Sequence, residues 1–254
     1  MKLENKTILI TGASSGIGRE LAVQLAAMDN RLLLVARRVD LLNELVKDLP
    51  LRDDQHFIYP CDVSDPEAVR LTCRTILEEN LQPDVLILNA GKSAGYSVHN
   101  INIRNIRDEF NVNFFHVVEF LHYLLPQMLL NGSGMVAATA SLAGYRGMPR
   151  AAGYAASKAA LINFMESLRI DLWGTGIKSV LISPGFVESE ITAKNRYRMP
   201  FLMATDKAVR IIIKGLEKEK VEIHFPYRLS LPAKLSRLLP KNLYAYIMRK
   251  GRND

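Results

Sequence analysis

Tyr154 and Lys158, in the run Tyr154-Ala155-Ala156-Ser157-Lys158, are the side chains of this sequence best suited to moving a proton. On a helix, residues four apart share a face, so the ammonium can lie beside the phenol. A nearby positive charge favours phenolate and draws a group whose ordinary pKa is near ~10 toward working pH. Tyr154 then qualifies as a general acid or base. Ser141 stands 13 residues upstream, a separation that lets a strand end and the following helix start bring both hydroxyls to one substrate oxygen. One hydroxyl would orient a carbonyl while the other protonates it. A tyrosine followed by lysine at this spacing is also what an exposed helix pair looks like, so the reading depends on what accompanies it.

What accompanies it is the run Thr11-Gly12-Ala13-Ser14-Ser15-Gly16-Ile17-Gly18, set between a short apolar strand pattern and a helical one. Glycine lets a backbone approach a pyrophosphate closely, and a helix amino terminus offers unpaired N–H groups and a favourable dipole. Gly12, Ser14, Ser15, Gly16, Ile17 and Gly18 are therefore expected to cradle a dinucleotide. The spacing is G-x-x-x-G-x-G, not the commoner G-x-G-x-x-G. The second strand pattern ends Val35-Ala36-Arg37-Arg38, where an NAD-preferring fold commonly places an acid to hold the ribose 2′-hydroxyl. Two guanidinium groups stand there instead. Arginine binds phosphate bidentately, so Arg37, with Arg38 and Ser14 assisting, argues for NADP(H).

These residues need strands and helices to position them. Short β-rich runs recur at 7–10, 32–35, 56–59, 85–88, 135–138, 179–182 and 221–224, and helical patterns fill 17–28, 39–48, 66–80, 104–130, 153–173 and 206–218. The strands are continuously apolar, as strands covered on both faces are. The alternation predicts an α/β chain with one Rossmann-like, doubly wound parallel sheet of about seven strands and helices on both faces. Residues 188–204 are the most irregular stretch, with Tyr197, Met199, Pro200, Phe201, Leu202 and Met203 close together. They read either as a mobile apolar lid or as a connecting helix packed on the core.

At 254 residues and 48% hydrophobic content the chain can bury a large core in one domain. The two cysteines, Cys61 and Cys73, have neither metal-site nor CxxC spacing, so no metal is expected and a reducing compartment is the natural reading. No signal-peptide core fits before the first strand, and no stretch is apolar for the roughly 18 residues of a membrane span. A cytoplasmic location is expected. The net charge of +7 is uneven: beyond Phe225 seven basic residues (Arg228, Lys234, Arg237, Lys241, Arg249, Lys250 and Arg252) face the single acid Asp254. The remainder is close to neutral, which argues against nucleic acid as a partner.

Taken in order, TGASSGIG, Cys61-Asp62-Val63, Asn89-Ala90-Gly91, Asn113, Ser141, Tyr154 with Lys158, and Pro184-Gly185 make the sequence resemble a classical short-chain dehydrogenase/reductase (SDR) from about Lys6 to His224. By that resemblance Asp62 and Val63 flank the adenine and Asn89, Ala90 and Gly91 line the central strand end. Asn113 binds a helix carbonyl and holds a water linked to Lys158. Ser141 positions the carbonyl oxygen, Tyr154 exchanges the proton, and Lys158 tunes Tyr154 and bonds the nicotinamide ribose. After Pro184 and Gly185, Val187 and Ser189 meet the carboxamide. His116 departs from the family's usual glycine and reads as a histidine packed on a helix rather than an extra proton carrier. Leu88, Ala140 and Ser189 are further departures that keep the needed hydroxyl or backbone.

The reading at this level is a catalytic domain over 1–224 and a basic amphipathic extension over 225–254. The expected activity is NADPH-dependent reduction of a lipophilic ketone or aldehyde, reversible as an alcohol dehydrogenase. A 3-oxoacyl-thioester (acyl-carrier-protein) reductase is the alternative among enzymes; a non-catalytic NADPH-binding sensor or scaffold at a membrane surface is the alternative of another class. The resemblance also implies a homodimer or homotetramer. The extension reads either as a peripheral contact with an anionic bilayer or as helices capping the pocket or packing on a partner subunit. Prolines at 232 and 240 are expected to break it into pieces.

Overall fold

Runs of leucine, isoleucine and valine form the centre of the protein as seven parallel strands in a computed structural model that describes residues 1–50, 56–95, 97–193 and 198–250. The strands are β1 (Thr7–Thr11), β2 (Arg31–Ala36), β3 (His56–Pro60), β4 (Val85–Leu88), β5 (Gly134–Thr139), β6 (Ile177–Pro184) and β7 (Glu222–Phe225). They lie in the order β3-β2-β1-β4-β5-β6-β7, every neighbouring pair parallel. The helices on the faces are α1 (Gly16–Ala26), α2 (Val39–Asp48), α3 (Pro66–Glu78), α4 (Ile103–Phe110), α5 (His116–Asn131), α6 (Ala152–Asp171), α7 (Glu190–Ala193) and α8 (Thr205–Glu217).

Strand side chains alternate faces, and here both faces are core. Leu9, Leu33, Leu86 and Val136 pack with Val69 and Cys73 of α3, Phe120 and Leu124 of α5 and Leu161 and Met165 of α6. Their strand neighbours Ile8, Ile10, Leu32, Leu34, Ile87 and Ala137 pack with Leu21 and Leu25 of α1, Leu42 and Leu45 of α2 and Val209 and Ile212 of α8. This two-sided burial is why the strand sequences run apolar without alternation. Cys61 and Cys73 are free thiols buried in the first of these layers. Among the described residues no helix is long and apolar enough to cross a membrane.

The strand order turns back on itself at β1, flanked by β2 and β4. In such sheets ligands bind in the crevice beyond the carboxyl ends of the strands at that switch point.

Two expectations are modified. The helix foreseen over 104–130 is divided: α4 starts on an Asn102 cap, whose side chain accepts from the Arg104 and Asn105 N–H groups at 3.0 and 3.3 Å. A wider π turn over Asn111–Phe115 then separates it from α5 and carries Val112 and Asn113 inward. Such turns recur at functional sites. In the extension, α9 (Tyr227–Leu235) runs through Pro232 instead of breaking there. Arg228, four residues earlier, is exposed, so water can meet the carbonyl that the proline leaves unbonded. Pro240 does separate the pieces, since a 3-10 turn (Ser236–Leu238) precedes it and α10 (Lys241–Lys250) follows. Arg252 and Asp254 lie outside the described residues.

Candidate active site

The carboxyl ends of β1, β4 and β5 are tied together by threonine and asparagine side chains, and this tie positions Lys158. Thr11 Oγ1 accepts from the Asn89 and Ala90 N–H groups at 2.9 and 3.0 Å, and Asn89 Nδ2 donates to the Thr11 carbonyl at 3.3 Å. Thr139 Oγ1 donates to Asn89 Oδ1 at 3.2 Å, while the Thr139 carbonyl accepts from Lys158 Nζ at 2.6 Å. Lys158 is only 2% exposed, and burial pulls its amine down from 10.5 to about 7. Its charge is therefore poised near neutrality, where a small change in surroundings decides it.

Asn113 is fully buried and locked in place from three sides. Its Nδ2 donates to the Lys92 carbonyl and to Ser157 Oγ, both at 2.9 Å, and its Oδ1 accepts from the Lys92 N–H at 2.8 Å. The amide thus holds the backbone of Lys92, directly after the Asn89-Ala90-Gly91 turn, and Ser157 of α6, whereas the resemblance implied a helix carbonyl. Ser157 Oγ in turn donates to the Tyr154 carbonyl at 2.8 Å, which fixes the first turn of α6. A Cβ on Gly91 would lie 3.5 Å from Asn113 Oδ1 and 3.6 Å from Lys158 Nζ, so the amide and the amine converge on this glycine.

Ser141 ends the strand side of the site as the cap of a 3-10 turn over Leu142–Gly144, its Oγ accepting from the Ala143 N–H at 3.2 Å. That bond uses an oxygen lone pair and leaves the hydroxyl proton for another partner. Ser141, Tyr154 and Lys158 all line one cleft of 450 Å³. The same cleft takes in Gly12, Ser14, Ser15, Ile17, Arg37, Arg38, Asp62, Val63, Asn89, Ala90, Gly91, Pro184, Gly185, Val187 and Ser189. Gly16 and Gly18 stand beside it in the turn. Tyr154 and the glycine turn, distant in sequence, thus share one crevice at the switch point.

The glycine turn fits a dinucleotide by its shape. Gly12 and Gly16 adopt φ of +70° and +52°, the left-handed region that other residues avoid. Gly18 is required for space: a Cβ there would stand 2.2 Å from the Gly12 carbonyl oxygen and 2.8 Å from Asn89 Nδ2. Ser15 caps α1 by position but contributes no side-chain bond, so the first-turn N–H groups stay available to an anion.

At the end of β2 the two arginines divide. Arg38 donates from Nε and Nη2 to Ser14 Oγ at 3.3 and 3.1 Å, and from Nη1 to both Glu190 oxygens at 2.9 and 3.0 Å. Arg37 reaches Asp62 at 3.4 Å. Although burial pushes the Asp62 carboxyl up, bonds from Ser64 and the Arg37 guanidinium hold it below the usual carboxylate range. Arg38, not Arg37, is thus the guanidinium joined to the glycine turn.

Several members of the site were not singled out from sequence. Thr11 and Thr139 could have been noticed as polar residues closing apolar strands; Ser157 sits inside the Tyr154–Lys158 run. Glu109 of α4 is 2% exposed, accepts from the Ala94 N–H at 2.8 Å, and is pushed up by burial, an effect that this bond partly offsets. Gly153 makes room for it, since a Cβ there would meet Glu109 Oε2 at 2.1 Å. His116 is buried and held neutral, at about 3, by burial and by Lys158, with Nε2 3.4 Å from Thr11 Oγ1. It packs in the helix, as the sequence suggested.

Of residues 188–204, read from sequence as a mobile apolar lid or a connecting helix, the described ones hold the short helix α7 and return to the core through a parallel bridge between Val187 and Met203. Phe201 and Leu202 are exposed; Tyr197 and its neighbours 194–196 lie outside the described residues.

The extension grips the segment between Ser141 and Tyr154. Arg146 donates to the Ser236 carbonyl and, at 3.0 Å, to the Leu239 carbonyl, acceptors at the end of a helical turn. Its guanidinium stacks 4.2 Å from the Tyr244 ring, whose hydroxyl donates to the Gly147 carbonyl at 2.7 Å. Under α10 lies an apolar hollow of 720 Å³ lined by Ala152, Ala156, Ala159 and Met248 among others. Neither Ser141 nor Tyr154 lines that hollow.

Comparison with known proteins agrees with this geometry. Residues 6–199 match the family model described as short chain dehydrogenase. An uncharacterized oxidoreductase of Myxococcus xanthus is 36% identical over 251 residues, covering 99% of both chains. An SDR from Burkholderia phymatum, solved in complex with NAD, superposes with a TM-score of 0.85 at 22% identity, covering 94% of this chain and 95% of that one. A short chain dehydrogenase from Burkholderia cenocepacia, solved with NADP, gives 0.82 at 22%, covering 98% and 99%. With its ordered motifs gathered at one switch-point cleft and its family match spanning most of its length, the chain belongs to the short-chain dehydrogenase/reductase family of oxidoreductases.

Proposed function

We propose that the protein is an NADPH-dependent carbonyl reductase acting on small to medium, lipophilic ketones or aldehydes, with residues 1–224 as its catalytic unit and 225–254 as an extension. The observation that carries this reading is the meeting of Ser141, Tyr154 and Lys158 with the glycine turn in one cleft. When bound, the reduced nicotinamide supplies a hydride to the carbonyl carbon. Ser141 donates a hydrogen bond to the carbonyl oxygen and Tyr154 hands it a proton, so both stabilise charge where it develops. Lys158, in its charged form, makes the phenol more acidic and offers its amine to the ribose. Asn113 ties Ser157 of α6 to the Lys92 backbone that follows the Asn89-Ala90-Gly91 turn, which keeps the two halves of the cleft in register.

Around the cofactor, Gly12, Ser14, Ser15, Gly16, Ile17 and Gly18 receive the pyrophosphate. Asp62 and Val63 flank the adenine, and Pro184, Gly185, Val187 and Ser189 meet the carboxamide. Arg38, with its fork already on Ser14, and Arg37 beside it form a cationic corner suited to a 2′-phosphate, which supports NADPH over NADH. A homodimer or homotetramer through α5 and α6 is part of this reading, supported by the exposed Leu129, Leu130, Ile170 and Trp173 on those helices and their ends.

Loss of NADPH absorbance with a panel of lipophilic ketones, aldehydes and an acetoacetyl thioester tests the reading. Turnover of simple lipophilic carbonyls, faster with NADPH than with NADH, is expected. A much higher rate with the thioester would assign the protein to 3-oxoacyl-thioester reduction. Tight NADPH binding with no turnover across the panel would make it a sensor or scaffold.

A further inference from the structure

The inner faces of α9 and α10 are committed to the catalytic unit, which leaves their outer faces to be explained. On α9, Leu229 and Ala233 pack against the core, Ser230 is buried with its hydroxyl 2.8 Å from His224 Nδ1, and Lys234 pairs with Glu222 at 2.5 Å. On α10, Tyr244 stacks on Arg146. The opposite side carries Tyr227, Leu231, Leu235 and Leu238, spaced as one stripe along α9 and its 3-10 extension, with Leu238 82% exposed. Leu243, Tyr246 and Ile247 form a matching exposed cluster on α10.

Exposed Arg228, Arg237, Lys241 and Arg249 border these apolar groups, and residues 226–250 contain no aspartate or glutamate. Single exposed leucines need no explanation, but an apolar stripe bordered by one sign of charge does. We infer that this outer face of residues 227–249 docks on an anionic lipid bilayer, with Leu231, Leu235, Leu238 and Ile247 entering the headgroup boundary and the four cations meeting lipid phosphates.

The charge selects this occupant over a second copy of the chain. A two-fold contact through the patch would bring the four cations of each copy into one interface, with no acid among residues 226–250 to offset them. A nucleic acid would use the cations but would leave the leucine stripe without a role. Because the inner face holds the segment from Leu142 to Gly147, the docked helices would set the catalytic cleft at the membrane surface, within reach of lipid-dissolved carbonyl compounds.

Sedimentation of the full chain with vesicles of phosphatidylcholine alone, or of phosphatidylcholine mixed with phosphatidylglycerol, tests the inference. Binding to the mixed vesicles, weakening as salt rises, is expected, with little binding to phosphatidylcholine alone. The double variant Leu235→Glu, Leu238→Glu removes two exposed side chains from the stripe and should lower vesicle binding at least about tenfold. Arg237→Glu, tested separately, should lower binding to the mixed vesicles only. Unchanged circular dichroism and unchanged NADPH affinity show that the variants are folded. Absence of vesicle binding by the unmodified chain, or binding that the variants leave intact, overturns the inference. So does a fall in sedimentation coefficient in the Leu235→Glu, Leu238→Glu variant without any vesicle binding, which would assign the patch to contact between copies of the chain.

Discussion

Replacing Lys158 by methionine should make the protein more stable and far less active. Burial draws the amine from 10.5 to about 7. A tenfold change in a proton equilibrium is worth ~1.4 kcal/mol, so keeping the ammonium form in this site costs the fold up to roughly 5 kcal/mol at low pH. The substitution also forfeits the 2.6 Å bond to the Thr139 carbonyl, and a buried carbonyl left without a partner costs about 1–3 kcal/mol. The balance is a stabilisation of roughly 2–4 kcal/mol, or a rise in Tm of about 4–16 °C for a chain of this size. The pH dependence has a definite sign. Because the folded amine has a lower pKa than the unfolded one, the unfolded chain binds more protons between about 7 and 10.5, and the native protein gains stability as pH rises through that window. The variant's advantage is fully present below about pH 7 and fades toward pH 10.5. Urea and thermal unfolding of both proteins, followed by circular dichroism at either end of this window, measure it. Equal or lower stability of the variant below pH 7, or an advantage constant with pH, would refute the reasoning.

Arg38→Ala should raise the KM for NADPH about tenfold to a hundredfold through loss of a charge-assisted fork, with the KM for NADH nearly unmoved. Arg37→Ala should have a smaller effect, since of the two only Arg38 is joined to the glycine turn, through Ser14; equal effects of the two on NADPH selectivity would contradict the division seen at the end of β2. Gly18→Ala should cost about 1–3 kcal/mol of stability and weaken dinucleotide binding, because the added methyl meets the backbone of Gly12 at 2.2 Å. Wild-type unfolding and cofactor affinity in that variant would show that the turn relaxes without consequence.

Much of this arrangement was legible in the sequence because it rests on local rules. Continuous apolar runs mark strands covered on both sides, and Asp65-Pro66 marks the start of α3, where the Asp65 side chain accepts from the Glu67 N–H at 3.0 Å. The glycine turn and the Tyr154–Lys158 spacing each carry a mechanism that can be read without coordinates. What stayed hidden depends on contacts between distant segments. Nothing near Asn113 announces that its amide will hold Lys92 and Ser157, and the π turn that carries it inward has no local signature. The division of labour between Arg37 and Arg38 is set by Asp62 and Glu190, 25 and 152 residues away. Arg146 reads as an ordinary surface cation until the extension returns to it 90 residues later. The extension's composition left two uses open, and the folded arrangement shows why: one face grips the rest of the fold while the other stays apolar, basic and exposed.

The central claim is that the Tyr154 hydroxyl is the proton carrier of the cleft. Substituting Tyr154→Phe removes one oxygen and leaves the glycine turn, both arginines and Lys158 in place, so single-turnover oxidation of NADPH by this variant, alongside its NADPH affinity, tests the claim most directly. The account predicts NADPH affinity within a few-fold of wild type and a rate of carbonyl reduction lower by about a hundredfold to ten-thousandfold. Turnover close to wild type would contradict it.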